Sequence, residues 1–114
     1  MKNQFHIGLL LSLSVVAIML ASACGNDLDM LLQGGDCSPG CNLANANLTE
    51  ANLTGANLAE ALLPIADLTG ADLANATLTG ANLRFANLTE AFLTGADLTG
   101  ANLTRANLTE ADLT

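Results

Sequence analysis

At 114 residues the chain has room for one small domain. Apolar residues make up 51% of it but aromatic ones 3%, with no Trp or Tyr, so any core must be assembled from Ala and Leu. A net charge of −8 argues against binding nucleic acid through phosphates, which requires clustered Lys and Arg.

In chain order, residues 1–23 read as an export signal. Lys2 and the terminal amine supply positive charge, and Ile7 to Met19 form an apolar run interrupted by Gly8, Ser12 and Ser14. Ala21-Ser22-Ala23 then places small residues before Cys24. The run is short for a membrane span and ends in a cleavage pattern. Leu20-Ala21-Ser22-Ala23-Cys24 resembles a bacterial lipobox, although Ala21 stands where the best examples carry Leu. The resemblance implies that Cys24 becomes the lipid-modified first residue of an envelope lipoprotein. In a Gram-negative cell Gly25 would favour passage to the outer membrane. Plain signal-peptidase cleavage at the same bond is the alternative. Either cut removes Lys2 and His6, leaving Arg84 and Arg105 against eleven carboxylates, a side-chain charge of −9.

Residues 24–40 form a leader. Its Leu28, Met30, Leu31 and Leu32 are apolar and need a surface to cover. Cys37-Ser38-Pro39-Gly40-Cys41 puts a Pro-Gly turn between two cysteines, which suits a disulfide in an oxidising compartment. Cys41 could equally fill an inward position as a small apolar residue. The spacing is too weak to indicate a metal site.

From residue 41 to 114 Leu recurs every five residues, fifteen times without a gap from Leu43 to Leu113. Ala precedes each by two positions, with Cys41 in the first copy, and mostly Asn or Asp lies between. Thr usually follows the Leu, and Gly and Glu dominate the fifth position. A straight helix would scatter such leucines around its cylinder, because five residues overshoot one turn by about 140°. A straight strand would alternate their faces. Short extended pieces separated by corners keep every Leu inward, and Asn, Asp and Gly are the expected corner residues. Four corners give twenty residues per coil, so fifteen repeats make about four coils.

Ala56-Asn57-Leu58, Ala96-Asp97-Leu98 and Ala101-Asn102-Leu103 carry a resemblance to the pentapeptide-repeat family. The resemblance implies an all-β fold, a right-handed quadrilateral β-helix. Leu62, Thr77 and Phe92 depart from the pattern, and Pro64, Ile65, Arg84, Phe85 and Arg105 decorate its variable positions.

Sorted at twenty residues per coil, Leu62, Ile65, Arg84, Phe85 and Arg105 gather on one side, and Glu50, Glu90 and Glu110 form an acidic ladder on the next. An apolar stripe carrying both arginines is what a protein-contact site looks like. It could instead be covered by the leader, or be tolerated surface variation. The last coil is expected to expose strand edges and Leu side chains, which suits a homodimer joined through the C-terminal coil. Asn-Leu-Thr at Asn47, Asn52, Asn87, Asn102 and Asn107 matches glycosylation sequons but is a by-product of the repeat. Thr is spread over several faces, unlike the paired Thr of ice-binding β-helices. The chain from Cys24 lacks His, Lys and Tyr, so no catalytic residue, metal ligand or cofactor is assigned. The expectation is a non-catalytic scaffold or protein-binding module, exported, held at the membrane through Cys24, with an unidentified protein partner and no nucleic acid. The alternative implied by the resemblance is an acidic DNA mimic that binds a topoisomerase such as DNA gyrase.

Overall fold

The structure, a computed structural model, describes residues 26–32, 37 and 40–114. The proposed signal segment and Cys24 lie outside the described residues, as does the side chain of Met30.

The repeat winds with a strict twenty-residue register. Parallel bridges join Asn42 to Leu62 and on through Asn82 to Asn102, and three further series start at Asn47, Asn52 and Asn57. Each bridge is isolated, so the extended pieces expected from the sequence shrink to one paired residue per side. The ladder is nonetheless complete where coils stack. Leu48 N donates to Asp67 O at 2.7 Å, Asp67 N donates to Ala46 O at 2.9 Å, and Glu50 N donates to Thr69 O at 2.8 Å. Between sides, the Ala N–H returns to the preceding Leu carbonyl, as from Ala51 to Leu48 at 3.0 Å. This bond closes a turn over the fourth and fifth positions. The fifth residue always has positive φ, from Asn45 at 61° to Glu110 at 58°, as in a type II turn.

That geometry corrects one expectation. Apart from Asn45 and Asn75, which take fifth positions, the Asn and Asp of the repeat do not form the corners but occupy the bridge positions on the flat sides. Their side chains serve the corner from there. In all twelve repeats with Asn or Asp at this position, its Oδ1 accepts the N–H two residues on, as from Thr49 to Asn47 at 3.1 Å. These Asx turns occupy a donor that neither ladder nor turn uses. Leu62 and Pro64 then explain each other: Pro64 has no N–H, so the acceptor missing at Leu62 leaves nothing unbonded.

The core is two stacks, Leu and Ala, with Leu43 through Leu88 at most 2% exposed. The leucines of its first coil are as dry as those of its middle because helix α1 (Asn26–Leu32) covers that end. Leu28, Leu31 and Leu32 are buried in the same cluster as Leu43 and Leu48. Asp27 Oδ2 accepts Asn42 N at 2.8 Å, meeting a strand N–H that has no lower coil to bond. Cys37 N donates to Asn57 O at 3.1 Å, and Cys37 and Cys41 form a disulfide with Cα atoms 5.0 Å apart. At the other end Leu98, Leu103 and Leu108 are half-buried and Leu113 is 58% exposed.

Candidate functional site

The side carrying Asn47, Asp67, Asn87 and Asn107 lies between two corners of opposite character. One corner stacks Asn45, Ile65, Phe85 and Arg105 at the fifth position, with Ala44, Pro64, Arg84 and Thr104 beside them. The other stacks Glu50, Gly70, Glu90 and Glu110, with a threonine before each.

The first corner brings the sequence-predicted stripe together around Phe85. The Arg84 guanidinium carbon lies 5.3 Å from the ring centroid and that of Arg105 lies 5.8 Å away. Both are within cation–π range, so the ring holds two like charges near each other. Ile65 and Phe85 remain exposed, and Leu62 stands open on the adjoining side. The described residues of the leader therefore do not cover this stripe. Its leucines go to the core end, where they bury completely, and an exposed corner offers them no comparable cavity. Phe92 is also exposed, alone on another side.

The acidic ladder is interrupted. Glu50 lies along its corner so that its Cγ would sit 3.5 Å from a Cβ at Gly70, which leaves Glu90 and Glu110 as adjacent carboxylates. The side between the corners is a hydrogen-bonded polar sheet. Asn87 Nδ2 donates to Thr69 Oγ1 at 2.8 Å and Asn107 Nδ2 donates to Thr89 Oγ1 at 3.0 Å, tying successive coils. The sequence pattern could have disclosed these links, since Asn-x-Thr repeated at twenty residues places each amide beside the previous hydroxyl.

Two carboxylates on other sides are held below the ordinary carboxylate range. The Thr99 hydroxyl and N–H lower Asp97, and the Thr114 hydroxyl and N–H do the same for Asp112. Both act on the charged form, which accepts these bonds. Among the described residues no group of three or more His, Cys, Asp or Glu is placed to hold a metal ion, and no helix is long and apolar enough to cross a membrane.

Comparison with known proteins agrees with the repeat geometry. A family model described as pentapeptide repeats matches over 41–80, 66–105 and 78–114, with eight copies. No curated protein sequence matches. Among solved structures, a pentapeptide repeat protein from the Arabidopsis thaliana thylakoid lumen is 35% identical, with 68% of this chain and 50% of that one covered and a TM-score of 0.47. HetL, a pentapeptide repeat protein involved in heterocyst differentiation regulation in Nostoc sp. strain PCC 7120, is 38% identical over 63% of this chain and 38% of its own, with a TM-score of 0.34. Another pentapeptide repeat protein of that cyanobacterium is 31% identical over 81% and 72%, with a TM-score of 0.43. The chain thus spans half or less of the length of the first two. With its five-residue pattern, twenty-residue register and matched repeats, the chain belongs to the pentapeptide repeat family.

Proposed function

We propose that this chain is a non-catalytic binding module of about four right-handed quadrilateral coils, exported and tethered to the cell envelope through lipid on Cys24. Its contact surface is the corner of Ile65, Arg84, Phe85 and Arg105. One observation carries the reading. Ile65 and Phe85 occupy turn positions with φ of 61° and 60°, where a β-branched or bulky residue costs roughly 1–2 kcal/mol. Burial does not offset that cost, because Ile65 is 60% exposed and Phe85 45%. Six repeats, counting Gly40, place glycine at this position and escape the strain. Strain held at an exposed apolar residue points to contact with something outside the fold.

The test is to replace Ile65 and Phe85 by Gly together and follow two properties. Thermal unfolding is expected to shift upward, by about 1 kcal/mol per site, as the left-handed strain is relieved. Native electrophoresis of solubilised envelopes is expected to show the variant in a smaller complex than the parent chain. A variant that loses stability and keeps its complex would make both residues structural and sink the reading.

A further inference from the structure

We propose that the occupant of this corner is a second copy of the same chain, lying side by side with the first and pointing the same way. The inference rests on the proposed contact surface and adds its partner. It follows from how the two corners flanking one flat side match at each height.

Residues five apart in sequence sit at neighbouring corners of one coil, so Asn45 is level with Glu50, Ile65 with Gly70, Phe85 with Glu90, and Arg105 with Glu110. Successive levels repeat at the strand spacing of about 4.8 Å. When two copies meet across the Asn47–Asp67–Asn87–Asn107 side and share a two-fold axis parallel to their coils, each corner of one faces the opposite corner of the other. Level by level, Asn45 then meets a carboxylate at Glu50. Ile65, the most exposed large apolar side chain of the corner, meets Gly70, which has no side chain. Arg84 beside Phe85 meets Glu90, and Arg105 meets Glu110. Symmetry doubles every match, giving four arginine–glutamate pairs. Among the described residues neither arginine pairs with a carboxylate of its own chain, so both are available.

The opposite orientation fails on the same grounds. Turning the second copy upside down sets each corner on its own kind with the levels reversed, so Ile65 meets Phe85 but Arg105 meets Asn45, Glu50 meets Glu110, and no arginine–glutamate pair forms. The parallel arrangement has one like-charge contact, Asp67 against Asp67, at the centre of the side. Its Oδ1 already accepts Thr69 N at 3.1 Å, Thr69 Oγ1 at 2.6 Å and Asn87 Nδ2 at 3.4 Å, which disperses that charge. Four attractive pairs against one dispersed repulsion, with bulk facing a glycine, select the parallel isologous dimer.

Sedimentation of the purified chain tests this, with two charge-reversed variants and their mixture. Arg84→Glu/Arg105→Glu carries only acidic corners, and Glu90→Arg/Glu110→Arg carries only basic ones. Each alone is expected to associate at least about tenfold more weakly than the parent chain. An equimolar mixture restores all four pairs and is expected to form a one-to-one dimer. Thermal unfolding confirms that both variants fold.

A parent chain that stays monomeric at high micromolar concentration overturns the assignment. So does association that ignores both reversals but disappears in Leu108→Asn/Leu113→Asn, which would place the contact on the last coil. If the parent chain is monomeric while Ile65→Gly/Phe85→Gly still loses its envelope complex, the second copy is excluded and the proposed contact corner stands. If neither dimer nor complex responds to the corner, both readings fall.

Discussion

At the scale of single residues, the fold asks one demanding thing of its sequence, a left-handed backbone at every fifth position. Nine non-glycine residues accept it, and the question at each is what the side chain gains. Asn75 gains a resting place: a Cβ on Gly95 would fall 2.6 Å from its Oδ1, so the glycine one coil above leaves the space the amide fills. Gly55, at φ 67°, has open space at the same position. The pair separates two costs. Gly55→Ala should lose about 1 kcal/mol, the backbone cost alone. Gly95→Ala should lose more, by about a further 1 kcal/mol, because the Asn75 amide must give up the space it fills. Chemical denaturation measures both, and equal losses would mean that Asn75 swings aside freely.

Among the elements, the short helix α1 decides how the repeat begins. Seven residues are too few to hold a helix by propensity, so its stability comes from the three leucines it buries and from the ties on either side. Removing the disulfide with Cys37→Ser/Cys41→Ser should cost about 2 kcal/mol, given the short loop it closes. Asp27→Ala should cost about 1 kcal/mol by orphaning the Asn42 N–H. Hydrogen exchange localises the effect: the amides of Leu43 and Leu48 should lose protection before that of Leu78. Uniform loss along the chain would show that the cap and coils unfold as one unit. The repeat and the arginine–phenylalanine stripe were legible in the residues, because a fixed period places every fifth and twentieth residue. The cap was legible only as an apolar leader. Leu28, Leu31 and Leu32 carry no period that says where they dock, and the stripe and the core end compete for them until burial is compared. The role of most of the Asn and all of the Asp in the repeat was misread for a related reason: these types favour turns, and here they act on the turn from the residue before the Leu, with only Asn45 and Asn75 inside it.

On the scale of the whole molecule, the solenoid is polar, with a covered first coil and a last coil whose leucines are half open. A lipid at Cys24 would fix the covered end to the membrane and present every copy in the same direction, the orientation the parallel pairing requires. Palmitate labelling should mark the chain and Cys24→Ser should abolish the label and release the protein from membranes. An unlabelled parent chain in the soluble fraction would remove the anchor. The twenty-residue register carries a further consequence, for how such a chain can change length. Inserting or deleting one repeat leaves the core intact, since Leu still follows Leu, but it turns everything downstream by a quarter of the circumference. Loss of a single repeat between Ile65 and Phe85 would carry Phe85 and both arginines round to the neighbouring corner, away from Ile65. Length changes that keep the surface in alignment must come as whole coils, twenty residues at a time.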